Sequence, residues 1–305
     1  MRIVLIGQAA FGAKVFEALM EKKEDVVAVY TPPDGPGGRI DPLKEAALAQ
    51  QIAVVQPAGY TSDDVFYEYR HYEPELTIMA FVTDIIPPRF FEAPKNGAIC
   101  YHPSILPRHR GASAINWAVM MGDTRTGLTI FWPDGGIDTG PILLQKEIDI
   151  GGGDTTGSLY FNHLFPMGIQ ALVEALDLIE SGDAPRIAQD ESLATYEPPC
   201  DDAVAAIDWS RSAREVDFLI RGCDPQPGAF VMFKGEKTRL YGARLLAEST
   251  QQAAGTILQV DDQGMQIALS GGILNVAKIK SGAGKKLAAG DFAAGQGLSP
   301  GDRLG

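Results

Sequence analysis

The stretch from Gly97 to Gly140, GAICYHPSILPRHRGASAINWAVMMGDTRTGLTIFWPDGGIDTG, carries a histidine and an aspartate at the ends of two predicted strands. The apolar run from Gly97 to Tyr101 is typical of a buried strand. The pair His102-Pro103 ends it, because proline cannot donate a hydrogen bond to the ladder. A second apolar run, Gly127 to Trp132, is followed by the turn sequence PDGG and then by Asp138.

Ligands of an open α/β sheet bind in the crevice beyond the carboxyl ends of its strands. Because His102 and Asp138 both follow predicted strands, we expect their side chains to face one pocket. Each residue taken alone also has a structural explanation. His102 could end its strand by bonding a carbonyl, and Asp138 could close a turn through its own side chain.

Working outward, the first half of the chain alternates apolar strands with helical patterns, which predicts a Rossmann-like, doubly wound and mostly parallel α/β sheet. The predicted strands are at 2–6, 26–30, 53–55, 76–81, 97–101, 127–132 and 141–150, and the predicted helices are at 11–22, 42–50, 63–71 and 154 or 155 to about 180. The glycines after the first strand have the spacing GxxxxG. A dinucleotide fingerprint would be GxGxxG, so the pattern does not favour a nicotinamide cofactor.

The second half predicts a smaller domain. Residues 182–206 are polar and contain prolines, which is typical of a linker. We therefore assign residues 1–203 to a catalytic domain that includes this linker, and residues 204–305 to a second domain. An amphipathic helix is predicted from Ser210 to Arg221, and the short strands after Gly228 predict a small β-barrel of the OB-like kind or a sandwich.

Charge and composition exclude several classes of protein. Of the 305 residues, 45% are hydrophobic, and the net charge is −13. Residues 1–203 carry 14 Lys and Arg against 29 Asp and Glu, whereas residues 204–305 carry 12 against 10. The negative net charge of the first domain argues against binding of nucleic acid by that domain, although a local basic patch could outweigh the net charge. The absence of a long apolar run predicts no membrane partner.

The cysteines and the start of the chain predict a cytoplasmic protein. Cys100, Cys200 and Cys223 are too widely spaced for a CxxC metal site or a disulfide framework, and no partner is predicted for Cys200 or Cys223. The opening MRIVLIGQAAFG has the pattern of a core strand and lacks the features of an export peptide. We find no cluster with metal-ligand spacing and expect no metal.

Two clusters of basic residues each have two possible interpretations. The triplet 108–110, RHR, could be a solvated loop or could bind an anionic tail. Lys278, Lys280, Lys285 and Lys286 predict a solvated face, with contact to RNA as the lesser alternative.

HPSILPRHRGA, at 102–112, followed by GGIDTGPIL, at 135–143, resembles the signature of the formyltetrahydrofolate-using formyltransferase superfamily. That superfamily includes methionyl-tRNA formyltransferases, sugar-nucleotide formyltransferases and the amino-terminal hydrolase domain of 10-formyltetrahydrofolate dehydrogenases. The segment YHPSILPRHRGASAINW, at 101–117, and the opening IGQ-FG are most similar to that hydrolase domain. IDWSRSA and IRGCDPQPGAF resemble the start of the superfamily's carboxy-terminal domain, and DFAAGQGLSPGDRLG resembles a methionyl-tRNA formyltransferase tail.

The resemblance implies roles for particular residues. His102 and Asp138 match the catalytic histidine and aspartate, and Asp84, Ile85 and Ile86 match a loop that holds the pterin ring, with Phe81 nearby. The implied substrate is 10-formyltetrahydrofolate, which donates its formyl group without a metal. His102 would stabilise the oxyanion or protonate the leaving nitrogen, and Asp138 would accept a proton from the attacking water or amine.

The sequence departs from the superfamily in two places. Transferases carry an asparagine two residues before the histidine, where this chain has Cys100. The hydrolase domain of the dehydrogenases also lacks that asparagine. A thiol is a weak donor, and the loss of one oxyanion donor costs roughly 10²–10³ in rate. The loop after the second strand, which is long and basic in methionyl-tRNA formyltransferases, is short here and holds only Arg39 and Lys44.

We therefore expect an enzyme that removes the formyl group of 10-formyltetrahydrofolate by hydrolysis or by transfer to an unknown acceptor. Methionyl-tRNA formyltransferase is the enzymatic alternative, and the acidic first domain and short loop weaken it without removing it. A non-catalytic folate-binding protein is the alternative of another class, with Cys100 marking lost chemistry.

Overall fold

The computed structural model describes residues 1–246 and 249–305, which divide into two compact units. The first unit comprises 1–112, 127–148 and 162–196, and the second comprises 113–126, 149–161 and 197–305. The expected boundary between residues 203 and 204 stays a prediction.

The first unit is built on a seven-stranded sheet with the order β3-β2-β1-β4-β5-β6-β7. Its strands are β1 (Arg2–Gly7), β2 (Asp25–Tyr30), β3 (Ala53–Val55), β4 (Leu76–Ala80), β5 (Ala98–His102), β6 (Arg125–Phe131) and β7 (Ile142–Asp149). The first five strands pair in parallel, which confirms the predicted Rossmann-like arrangement. The central strands are mostly apolar, as expected of parallel strands buried on both faces, and Ile3, Leu5 and Ile78 are fully buried.

β6 runs antiparallel to β5, which corrects one premise of the sequence argument. His102 pairs with Thr129, and Cys100 pairs with Phe131, so β6 ends level with the middle of β5. The carboxyl ends of these two strands therefore do not lie at the same edge of the sheet. The loop after β6 must turn back for Asp138 to reach His102, and Trp132 N–H closes that loop on the carbonyl of Pro141 at 2.9 Å.

Four helices of the first unit fall where the sequence predicts them, the last after an interruption, whereas the short helix at 88–92 was not predicted. They are α1 (Ala9–Glu21), α2 (Pro42–Ala49), α3 (Asp63–His71), α4 (Pro88–Glu92) and α7 (Phe165–Ser181), whereas α5 (Ala114–Met120) and α6 (Thr156–Leu159) belong to the second unit. A single long helix from residue 154 or 155 was expected, but a π-helical turn at Tyr160–Leu164 separates α6 (Thr156–Leu159) from α7. Of the two residues at which the helix was expected to begin, Thr155 is the cap of α6, and its side chain accepts the N–H of Ser158. None of the helices within the described ranges has the length and apolar character to cross a membrane.

The second unit combines helices with an antiparallel sheet of the order β10-β11-β12-β9-β8, in which β13 also pairs with β12. Besides α6, its elements are α5 (Ala114–Met120), α8 (Ala213–Gly222), β8 (Phe230–Phe233), β9 (Glu236–Leu246), β10 (Ile257–Asp261), β11 (Gly264–Leu269), β12 (Gly272–Ser281), β13 (Leu287–Ala288) and α9 (Ala289–Gln296). The separate antiparallel domain is confirmed, whereas its closure into a barrel stays a prediction.

Several details of the second unit differ from expectation, and helix α5 was not predicted from the sequence. α8 begins after Ser212 and not at Ser210, because Ser212 and Glu215 form a reciprocal capping box. Helix α9 was not predicted from the sequence. Its residues Ala289, Phe292 and Ala293 are buried in the core of this unit, so tertiary packing stabilises a segment whose local pattern is weak.

Candidate active site

His102 and Asp138 meet at the end of β5. His102 Nδ1 lies 3.5 Å from Asp138 Oδ2, and the two side chains are 7% and 17% exposed. The other ring nitrogen, Nε2, is 2.8 Å from the carbonyl oxygen of His109. Because a carbonyl only accepts, Nε2 carries hydrogen and Nδ1 is the nitrogen available to exchange a proton.

The Asp138 carboxylate is oriented by backbone geometry. Asp138 has a φ of +57°, in the left-handed region that aspartate tolerates better than most residues. Its Oδ2 accepts the backbone N–H of Gly111 at 2.8 Å. Among the described residues no hydrogen bond reaches Oδ1, so this oxygen can accept a proton from a nucleophile.

The loop between His102 and Gly111 is held by Thr129 of β6, the residue opposite His102. Thr129 Oγ1 donates to the carbonyl of Ser104 at 2.7 Å and accepts the N–H of Leu106 at 3.1 Å. Ser104 Oγ in turn donates to the carbonyl of Arg108 at 2.6 Å. These bonds fix the loop that presents the His109 carbonyl to His102.

Cys100 shares a strand face with His102, because residues two apart in a strand point to the same side. Burial, and secondarily the Asp138 carboxylate, raise the pKa of the Cys100 thiol far above its ordinary value. The thiol is therefore protonated, and a protonated thiol is a poor nucleophile.

The segment after β4 begins beside this site, because Met79 pairs with Cys100 in the parallel ladder. Phe81 has a φ of +62° and is half exposed, Asp84 and Ile85 are exposed, and Ile86 packs partly against the core. Phe81 and Asp84 line a narrow cleft whose other residues are Ile6, Gly7, Gln8, Tyr30, Pro32, Tyr60, Val82 and Thr83. The cleft is lined by apolar side chains with a few polar groups, and its lining does not include His102 or Asp138.

At the turn from β1 to α1 a carboxylate occupies the N–H group at the start of the helix. In dinucleotide-binding folds the pyrophosphate rests on the N–H groups that begin this helix. Here both carboxylate oxygens of Asp41 accept the N–H of Ala9, at 3.0 and 2.9 Å. A carboxylate at that position repels a second anion.

Comparison with known proteins now gives the family. The family profile described as formyl transferase matches residues 1–176, and the formyl transferase carboxy-terminal domain matches residues 201–297. The chain belongs to the formyl transferase family. It is 45% identical to the human mitochondrial 10-formyltetrahydrofolate dehydrogenase over 254 residues, which are 82% of this chain and 27% of the dehydrogenase. The chain thus spans about a quarter of that relative.

A second group of relatives matches over its whole length. The methionyl-tRNA formyltransferase of Alkaliphilus oremlandii is 33% identical over 310 residues, which cover all of both chains. Among solved structures, HypX from Aquifex aeolicus in complex with tetrahydrofolic acid has a TM-score of 0.70 at 19% identity, covering 96% of this chain and 47% of HypX. An N-formyltransferase from Helicobacter canadensis has a TM-score of 0.70 at 18% identity, covering 90% and 98%. At such identities these two structures show the shared fold.

A buried arginine, not identified as such from sequence, supports the Asp138 loop of this formyl transferase. Arg110 was expected either in a solvated loop or on an anionic ligand, but its side chain is 1% exposed and bonded to the chain itself. It donates to both carboxylate oxygens of Glu191, at 3.0 and 2.6 Å, and to Gln189 Oε1 at 2.8 Å. Gln189 Nε2 then donates to the carbonyls of Asp138 and Gly140 at 2.8 and 2.7 Å.

Two other sequence expectations concern the second unit. Cys200 was expected to have no partner, which is wrong: its Sγ lies 3.8 Å from Cys223 Sγ, with both thiols free. The two cysteines are far apart in the sequence and belong to different segments, so no local pattern reveals the pair. The four lysines at 278, 280, 285 and 286 are exposed or partly exposed, as predicted, and contact with RNA stays a prediction.

Proposed function

We propose that this formyl transferase removes the formyl group of 10-formyltetrahydrofolate in the cytoplasm, either by hydrolysis to tetrahydrofolate and formate or by transfer to a small acceptor. The observation that carries the proposal is the approach of His102 Nδ1 to Asp138 Oδ2 at the end of β5. Phe81, Asp84, Ile85 and Ile86 are the residues proposed to bind the pterin, largely through their backbone.

In the proposed chemistry Asp138 accepts a proton from the nucleophile, and His102 donates a proton to the oxyanion or to the leaving nitrogen. A nucleophile attacking the formyl carbon gives up a proton, and Oδ1 of Asp138 is available to take it. Negative charge then develops on the formyl oxygen, and a proton on His102 Nδ1 stabilises that oxygen or passes to the leaving nitrogen. The Nε2–H bond to the His109 carbonyl keeps the ring oriented during both events.

Hydrolysis is favoured over transfer by Cys100. A protonated thiol is a weak donor in the position where the superfamily's transferases carry asparagine. The hydrolase domain of the 10-formyltetrahydrofolate dehydrogenases, which this chain resembles, also lacks that asparagine. The 45% identity to a 10-formyltetrahydrofolate dehydrogenase supports the same choice.

Methionyl-tRNA formyltransferase is the second candidate, because the relatives of that name align over the full length of this chain. Charge opposes it in the first unit. Of the two cations near the loop after β2, Lys44 pairs with Asp34 at 2.7 Å and bonds Gln56, which leaves Arg39 to meet a phosphate. A non-catalytic folate-binding protein is the third candidate.

One assay with two arms separates these candidates. Purified protein is incubated with 10-formyltetrahydrofolate alone, and in parallel with methionine-charged initiator tRNA; tetrahydrofolate, formate and formyl-methionyl-tRNA are quantified. We expect equal amounts of tetrahydrofolate and formate in both arms. Formylated tRNA with little formate supports the second candidate, and binding of the folate without turnover supports the third. His102→Gln is the control for contaminating hydrolysis, because glutamine Nε2 can still donate to the His109 carbonyl that His102 Nε2 contacts, but the amide cannot exchange a proton.

A further inference from the structure

The only cysteine pair within residues 1–246 and 249–305 with sulfur atoms within 4 Å of each other, Cys200 and Cys223, lies in the second unit. The Sγ atoms are 3.8 Å apart, and a disulfide needs about 2.05 Å, so each sulfur has to move by about 1 Å. Met120 Sδ lies 3.9 Å from Cys223 Sγ. We propose that Cys200 and Cys223 are a reversible oxidative modification site that a hydroperoxide converts into a disulfide.

Helix α5 holds both cysteines in place. On one side, Ser113 Oγ accepts the N–H of Cys200 at 2.9 Å, and Trp117 Nε1 donates to the carbonyl of Pro198 at 2.7 Å. On the other side, Asn116 Nδ2 donates to the carbonyl of Gly222, the residue before Cys223, at 2.8 Å. Gly222 approaches α5 so closely that a Cβ would lie 2.3 Å from the Met120 side chain. The two sulfurs therefore meet without an ordering cost at the moment of reaction.

The two thiols differ in solvent exposure and in pKa, as expected of a pair in which one cysteine reacts with the oxidant first. Cys200 is partly exposed and can meet a small oxidant, whereas Cys223 is fully buried. The hydrogen bond from the Cys223 thiol lowers the pKa of Cys200, and that bond together with burial raises the pKa of Cys223. Cys200 is thus the thiol that becomes a thiolate and attacks first.

The proposed reaction balances with a hydroperoxide as the oxidant. The Cys200 thiolate attacks one oxygen of hydrogen peroxide, the O–O bond breaks, and Cys200 becomes a sulfenic acid while hydroxide leaves and is protonated to water. Cys223 sulfur then attacks the sulfenic sulfur, and the S–O bond breaks. The hydroxyl leaves with the Cys223 proton as a second water, and the sulfur–sulfur bond forms. An external dithiol reverses the oxidation.

The disulfide would join the segment before the second unit's sheet to the end of α8. It closes a loop of more than twenty residues, which restricts the unfolded chain and stabilises the folded one. We therefore expect the oxidised chain to melt higher than the reduced chain, by several degrees.

The test uses the full chain, hydrogen peroxide as the probe and peptide mapping after alkylation of free thiols. We expect one linked peptide pair containing Cys200 and Cys223, absent after dithiothreitol, with Cys100 alkylated in the same digest. Cys100→Ser is the matched control and must keep the link, whereas Cys200→Ser must lose it together with the rise in melting temperature.

Labelling of the sulfenic acid tests which of the two cysteines reacts with peroxide first. In Cys223→Ser, dimedone should label Cys200 as a trapped sulfenic acid, and in Cys200→Ser it should leave Cys223 unlabelled. Alkylation of both Cys200 and Cys223 after peroxide treatment overturns the proposal, as does a Cys200 sulfinic acid formed beside a free Cys223. The map of the unsubstituted chain decides this even where a Cys223 variant fails to fold.

Discussion

Gln189 Nε2 donates to the carbonyl oxygen of Asp138 at 2.8 Å while its Oε1 accepts from Arg110. A second bond from the same Nε2, to the carbonyl of Gly140 at 2.7 Å, fixes the backbone on both sides of Thr139. Gln189 lies in the stretch that the sequence assigned to a linker. This stretch instead holds the Asp138 backbone, in its unusual left-handed conformation, against the end of β5.

Gln189→Glu should lower kcat by about tenfold or more with a small change in KM. The carboxylate can still accept from Arg110, but it cannot donate to the two carbonyls, so the Asp138 loop loses its anchor and the proton acceptor moves. Steady-state kinetics of 10-formyltetrahydrofolate turnover measure the effect, and the exposed Gln50→Glu is the matched control. Unchanged kcat in Gln189→Glu would show that the loop is positioned by other contacts.

The ion pair of Arg110 with Glu191 predicts a pH-dependent contribution to stability. The Arg110 guanidinium holds the pKa of the Glu191 carboxyl below its usual range. A carboxyl with a lowered folded-state pKa stabilises the fold above its unfolded pKa, and this contribution is lost as the pH falls through the folded pKa. Glu191→Gln should therefore melt below the unsubstituted chain at pH 7, and the difference should begin to shrink at about pH 4 and close only as the pH falls through the lowered pKa of the folded state. Melting curves of both proteins and of the exposed control Glu21→Gln measure it; a difference that persists in acid contradicts the assignment.

Cys100→Ala should retain turnover within about tenfold, because the raised pKa of this thiol leaves no thiolate to act as a nucleophile. A catalytic nucleophile would instead be needed for every turnover. Initial rates of tetrahydrofolate formation distinguish the two cases. Abolition of turnover in a folded Cys100→Ala protein would assign a covalent role to Cys100.

The sequence predicted the first unit well because its signals are local. Strand ends at His102-Pro103, the apolar run of β6 and the turn before Asp138 are visible within a few residues each. The meeting of His102 with Asp138 was expected for a reason that is partly wrong. β6 is antiparallel to β5, and it is the returning loop that joins the two side chains.

Long-range contacts explain what the sequence could not show. The triplet 108–110 looks basic and solvated until Glu191 and Gln189, some eighty residues later, bury Arg110. The start of α8 could have been predicted from the sequence, since the S-x-x-E pattern of Ser212 and Glu215 marks a capping box. The interruption before α7 could also have been predicted, since Pro166 lies inside the expected helix and has no N–H to donate to the preceding turn.

The role of Asp138 as the proton acceptor is tested most directly by Asp138→Asn. Asparagine keeps an oxygen for the N–H of Gly111 and the size of the side chain, but it cannot take a proton. We predict that kcat for 10-formyltetrahydrofolate falls by about 10²–10⁴ with the melting temperature preserved, while the exposed control Asp183→Asn keeps full turnover. Turnover of a folded Asp138→Asn protein at the unsubstituted rate would contradict the account.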